Sequence, residues 1–328
     1  MTRHSIIGGL LLMIASQAAT LLRIEPFWSW NTPIAWTGFI LFADGVVFRA
    51  RGNSWIRSAP TEFIGLAIAS IPLWLVFEFF NLYLDNWNYV GLPEHFWLRM
   101  FGYAWSFATV WPAIFEGAEL IAVLRTWLSG KAGTTGPSAP PARLARPAPP
   151  ALPALSIVLG ALMLVCPFLV APATARYLAA PVFLGFIFLL DPINARMGGE
   201  SLLSDSRDRR YDRIVNLAAS GALCGVLWEF WNYWSRSKWH YTVPIMETFK
   251  LFEMPLPGYL GFPAFAIECF TMYVFLRSLF ARAASAVRSF DSLTPVPGPV
   301  ERRPSPGVSG SSWDGLGPGR QAGRAIAR

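Results

Sequence analysis

The chain has 328 residues, of which 54% are hydrophobic and only 14% charged, with a formal net charge of +7. A soluble domain carries about a quarter charged residues. Here the charge falls in short segments between long apolar runs and in the C-terminal stretch, so a soluble globular fold is excluded in favour of an integral membrane protein. Because the basic residues flank those runs, membrane topology accounts for the positive charge and nucleic acid is not expected as a partner.

Eight apolar spans follow in chain order, at roughly 5–22, 32–48, 63–83, 101–124, 152–170, 177–191, 214–234 and 257–280. The first begins "MTRHSIIGGLLLMIASQAAT", which has the basic start and apolar core of a secretory signal. The repeat described next assigns it instead as a membrane helix. The three cysteines, Cys166, Cys224 and Cys269, lie in apolar runs without metal or redox spacing and read as small buried hydrophobes.

The two halves match in order. "GFILFADGVVFRARG", ending at Gly52, resembles "GFIFLLDPINARMGG", ending at Gly199, and aligns Asp44 with Asp191. "LVFEFFN" aligns Glu78 and Asn81 with Glu229 and Asn232. "WNY" at Trp87–Tyr89 aligns with "WHY" at Trp239–Tyr241, and Glu116 in "WPAIFEGAEL" aligns with Glu268 in "FPAFAIECFTM". The expected fold is therefore an all-α polytopic membrane protein, with about eight transmembrane helices arranged as two parallel four-helix repeats. Residues 1–128 form the first repeat and 152–290 the second. Between them lies a Pro/Ala-rich cytoplasmic linker, 129–151, and the basic Pro/Gly-rich residues 291–328 are expected to be a disordered tail.

Charge sets the orientation. Arg3, Arg49, Arg51, Arg57, Arg125, Lys131, Arg196, Arg207, Arg209, Arg210, Arg213 and the basic tail fall on one side, against Arg23, Arg99, Arg176, Arg236, Lys238 and Lys250 on the other. This places the protein in the cytoplasmic (inner) membrane with both termini cytoplasmic and both aromatic loops outside. Asp44 and Asp191 end their spans near Arg49 and Arg196, where an ion pair or a helix-end hydrogen bond is expected.

Intramembrane polar residues are the candidates for chemistry. Glu78 with Asn81, and Glu229 with Asn232, are spaced to share a helical face. Glu116 and Glu268 recur in the fourth and eighth spans. A buried carboxylic acid suits a general acid. The same six residues could equally hold helices together through hydrogen bonds. Trp228, Trp231, Trp239, Tyr241, Trp87 and Tyr89 are candidates to bind an apolar ligand or a cation through their π faces. An interfacial aromatic belt is the competing role, foremost for the loop residues. Trp74, Trp105, Trp111 and Trp234 also lie in or beside spans and could line a pocket.

Three histidines, His4, His95 and His240, are too few for a histidine-bound iron desaturase. No Asp-Asp-x-x-Asp cluster exists to hold magnesium against a diphosphate, and no P-loop, GxGxxG or GxSxG element occurs. No metal site and no cofactor are expected.

Trp228, Glu229 and Asn232, then Trp239-x-Tyr241, then Pro263 and Glu268, resemble the lycopene cyclase domain of membrane carotenoid cyclases, which is likewise built from two related helical units. The resemblance covers about eighty residues per copy. It departs from the family's motifs in spacing: Pro263 precedes a lone Glu268, and Glu229 is separated from Asn232. It implies a carboxylic acid that protonates a polyene end, aromatic groups that stabilise the cation, and ring closure without redox change. Glu229, Asn232 and Glu268 would form the polar core, with Glu78, Asn81 and Glu116 as the duplicate set.

Three functions stay open at this point. One is a cofactor-free membrane enzyme acting on an isoprenoid or lipid, and another is a noncatalytic protein that binds a hydrophobic ligand or organises partners. The third is a small proton-coupled transporter in which Glu78 and Glu229 exchange protons.

Overall fold

The computed structural model describes residues 2–130, 151–246 and 248–293. Eight long helices dominate: α1 (Thr2–Leu21), α2 (Phe27–Arg51), α3 (Pro60–Leu84), α4 (Phe96–Leu128), α5 (Ala151–Leu169), α6 (Ala179–Arg196), α7 (Asp212–Trp234) and α8 (Gly261–Leu293). Each supplies a stretch long and apolar enough to cross a membrane; the last of these, Leu256–Ala283, begins in the 3-10 turn that precedes α8. The architecture is that of an all-α polytopic membrane protein. A unit spanning Met1–Ala283 contains these segments; of the second unit, Ala284–Arg328, only the helical backbone to Leu293 is described. Most of the linker (131–150) and residues 294–328 lie outside the described residues, as does the expectation of disorder there.

Several helices are longer than the apolar runs suggested. Helix α2 starts at Phe27 rather than near 32, α4 runs to Leu128, and α6 extends to Arg196. Hydropathy marks only the segment that fits hydrocarbon, whereas the backbone stays helical until a cap or a turn stops it. Gly52, left-handed at φ 77°, stops α2. Asp85, at φ 51°, stops α3 and donates its N–H to the Asn81 carbonyl at 2.8 Å.

Small residues let pairs of helices touch. A Cβ at Gly9 on α1 would meet the Gly38 carbonyl on α2, and one at Gly160 on α5 would meet the Gly185 carbonyl on α6. Membrane helices pack through such small-residue contacts because lipid offers no hydrophobic drive. Helices α2, α3, α4, α7 and α8 supply the most deeply buried aromatic core, including Trp36, Phe77, Trp111, Trp231 and Phe265. Hydrogen bonds tie the early helices to the late ones: the Asn31 amide donates to the Trp231 carbonyl at 3.1 Å, and Trp111 Nε1 to the Cys269 carbonyl at 2.9 Å.

The segments expected as aromatic loops contain short strands. Strand β1 (Trp87–Val90) pairs antiparallel with β2 (Lys238–Tyr241), in the register Trp87↔Tyr241, Asn88↔His240, Tyr89↔Trp239 and Val90↔Lys238. A smaller ladder joins β3 (Lys250–Leu251) to β4 (Met254–Pro255). Periodicity could not reveal β1 and β2, because each is four residues long and its partner lies in the other half of the chain.

The two span-end aspartates make helix-end hydrogen bonds. Asp44 accepts from the Ile56 N–H at 3.0 Å, at the start of the short helix Trp55–Ser58, and pairs with Arg57 at 3.2 Å rather than with Arg49. Asp191 accepts from the N–H groups of Leu202 and Leu203, at the start of the short helix Leu202–Arg207, and from the Ser201 hydroxyl. Each satisfies backbone donors that a helix N-terminus leaves free.

Candidate functional site: an aromatic cavity under a strand ladder

Helices α3 and α7 each end in Glu-x-x-Asn followed by an extended strand, and the two asparagines make that turn. Asn81 Oδ1 accepts from the N–H of Asn86 and of Trp87, at 2.9 and 3.2 Å, while its Nδ2 donates to the Trp87 carbonyl at 2.8 Å. Asn232 Oδ1 accepts from the Trp239 N–H at 2.9 Å, and its Nδ2 donates to the Trp239 carbonyl at 2.9 Å. An amide has both a donor and an acceptor, so it can bracket one peptide unit as a neighbouring strand would.

One helical turn earlier, each glutamate receives a tyrosine from its own strand. The Tyr89 hydroxyl donates to Glu78 Oε1, which also accepts from Trp74 Nε1 at 2.8 Å and Trp87 Nε1 at 3.3 Å. The Tyr241 hydroxyl donates to Glu229 Oε1 at 2.9 Å. Burial, reinforced by the adjacent Glu78, holds the Tyr89 phenol well above its ordinary pKa; burial and Glu229 do the same at Tyr241. Both phenols therefore stay protonated and act as donors.

In front of these pairs lies a cavity of about 610 Å³, within the range of small-ligand sites. Its wall includes Trp36, Trp74, Trp228, Phe183 and Phe265 along with strand aromatics, and among the described residues it carries no acidic side chain. Tryptophans 36, 228, 74 and 87 form a continuous aromatic file with successive ring centroids 5.9, 5.5 and 6.3 Å apart.

Of the six proposed ligand-binding aromatics, Trp87, Tyr89, Trp228, Trp239 and Tyr241 line this cavity. Trp231 does not; it stacks edge-on against Trp36 at 4.8 Å in the core. Among the other tryptophans Trp74 lines the wall, whereas Trp105, Trp111 and Trp234 lie elsewhere. None of Glu78, Asn81, Glu116, Glu229, Asn232 and Glu268 is a wall residue. Glu78 and Glu229 stand one residue behind the wall, joined to it by Tyr89 and Tyr241. Glu116 is 1% exposed with both carboxyl oxygens unpartnered, and Glu268 accepts only from the Phe186 N–H at 3.3 Å.

Sequence reasoning missed Trp36, Phe183, Asn86 and Arg176 as wall residues. No motif flags them, since the bundle brings them together from α2, α6, the α3–β1 turn and the short helix end near 176. Among the described residues, no group of three or more His, Cys, Asp or Glu side chains could hold a metal ion. No family model, curated protein or solved structure matches this chain.

Proposed function

We propose that this protein is a membrane enzyme acting on an isoprenoid or other unsaturated lipid, which it holds in the aromatic cavity and transforms by proton transfer through the Tyr–Glu pairs. The observation that carries this reading is that two wall residues are tyrosines, Tyr89 and Tyr241, each with its hydroxyl hydrogen-bonded to a glutamate behind the wall. A proton leaving the ligand would pass to a tyrosine oxygen as the phenol proton passes to the carboxylate. With both hydrogen bonds reversed, a protonated glutamate would return it. The tryptophan file would stabilise positive charge on a polyene. Chemistry of this kind matches what the lycopene cyclase resemblance implies for Glu229, although the relay through tyrosine is a different route.

The eight helices are read here as two parallel repeats. Supporting this are the matched roles of Asn81 with Asn232, Glu78–Tyr89 with Glu229–Tyr241, Asp44 with Asp191, and the Gly9–Gly38 crossing with Gly160–Gly185. The ladder register has the same form, because a two-fold axis through the Asn88↔His240 pair would exchange Trp87 with Trp239 and Tyr89 with Tyr241. Positive-inside charge supports cytoplasmic termini in an inner membrane.

A second reading is a noncatalytic protein that binds a hydrophobic ligand. It is favoured by the absence of all six polar candidates from the cavity wall. Lipid and pigment extraction from cells expressing wild type, Glu229→Gln or Tyr241→Phe separates the two. The enzyme reading expects a precursor to accumulate in both variants. Identical profiles in all three strains would reject it and leave the binding reading.

A further inference from the structure

Among the described residues, three polar atoms at the cavity wall are left without partners. Asn86 is 2% exposed and lines the wall, yet neither Nδ2 nor Oδ1 of its side chain is hydrogen-bonded. Arg176 Nε, from another wall residue, is also buried and unpaired. Buried polar groups are almost always satisfied, and each exception calls for a partner.

Asn86 and Arg176 are neighbours through one residue. The Asn86 carbonyl accepts from the Thr242 N–H at 2.9 Å, and the Thr242 carbonyl accepts from Arg176 Nη2 at 3.2 Å. Charge points the same way. Among the described residues, the wall's charged side chains are Arg99, Arg176 and Lys238, with no carboxylate among them. Lys238 is neutralised by Glu253 at 2.8 Å. Arg176 meets only Asp85, at 3.5 Å, whose side chain is 71% exposed and screened by solvent. A guanidinium and an unpaired amide in one cavity wall suit an oxygen anion better than a neutral head.

We propose that the cavity takes an amphiphile with an anionic oxygen head, carboxylate or phosphate, held by Arg176 and Asn86, with its apolar chain along the tryptophan file. This rests on the reading that the cavity holds an isoprenoid or lipid, and it names the class of ligand.

The full chain in detergent is titrated with parinaric acid, a polyene carboxylate, and separately with its methyl ester, at a pH where the acid is ionised. Energy transfer from protein tryptophan to the polyene reports binding. Wild type is expected to bind the acid at least about tenfold more tightly than the ester, the worth of one charged hydrogen bond. Arg176→Gln should shrink that preference to about twofold or less while ester affinity holds. Asn86→Leu removes no existing side-chain hydrogen bond and should act in the same direction, which covers the case in which Arg176→Gln fails to fold. Competition by dodecanoate, dodecyl phosphate and dodecanol then identifies the head: displacement by either anion in preference to the alcohol supports the proposal, and their ranking names carboxylate or phosphate. Equal binding of acid and ester by wild type overturns the anionic head while the hydrophobic-ligand reading stands. No binding of either overturns both.

Discussion

Asn88 lies opposite His240 at the middle of the ladder that joins the two aromatic strands. The consequence is that Trp87 faces Tyr241 and Tyr89 faces Trp239, so each tyrosine that reaches a glutamate is paired with a tryptophan from the other half of the chain. The cavity wall is thus completed only when both halves are present. Opposed residues in an antiparallel pair sit about 4.5–5.5 Å apart at Cα, within reach of a disulfide. With Cys166, Cys224 and Cys269 replaced by alanine, cysteines introduced at 88 and 240 should therefore cross-link under mild oxidation. After proteolytic cutting within 131–150, the two fragments should then migrate together on a non-reducing gel. Cross-linking of 88 to 238 in preference to 240 would show the register to be wrong.

The asparagines are the supports of the ladder. Asn81→Ala removes three side-chain–backbone hydrogen bonds and Asn232→Ala two, leaving buried peptide groups unpaired. Each substitution should cost about 1–3 kcal/mol for every group left unsatisfied. Thermal unfolding of the detergent-solubilised protein should show a lower midpoint for each variant, with the double variant lower still. An unchanged midpoint in Asn232→Ala would mean that the bracket is not formed.

The spacing Glu-x-x-Asn, repeated at 78 and 229, was legible because helical geometry alone puts both side chains on one face. The aromatic residues that follow were legible for the same reason: they recur in the same order. What the asparagines do was not legible. Their partners are backbone groups of a turn whose conformation depends on Asp85 and Ser235 leaving the helix, and on a strand partner in the other half of the chain. The wall residues Trp36, Phe183 and Arg176 were hidden for a related reason. A cavity belongs to the packing of several helices, and hydropathy reports each helix separately.

Glu116 makes the opposite case from the asparagines. It is buried with both carboxyl oxygens unpartnered, so its burial has no hydrogen-bond return. Replacing an unpartnered buried polar group with an apolar one of similar shape is neutral or stabilising. Glu116→Met should raise the thermal midpoint or leave it unchanged, whereas Glu268→Met loses the acceptor for the Phe186 N–H and should gain less. A marked drop in Glu116→Met would reveal that Glu116 has a partner or a bound ion in the membrane.

Part of the acid sensitivity should come from Glu253, which joins Lys238 and His240 beside the ladder at 2.8 Å each. Burial pushes its carboxyl up, but the hydrogen bonds and charges of Lys238 and His240 outweigh that and hold it below its ordinary value of 4.5. A carboxylate whose folded-state value is depressed stabilises the fold above its unfolded value and loses that contribution as pH falls through the folded one. The contribution should therefore be complete above about pH 4.5 and fade below it. Glu253→Gln should lower the thermal midpoint at neutral pH, and the gap to wild type should close as the sample is acidified below that value. A gap between wild type and Glu253→Gln that stays constant from neutral to acid pH would rule out the ion pair as its source.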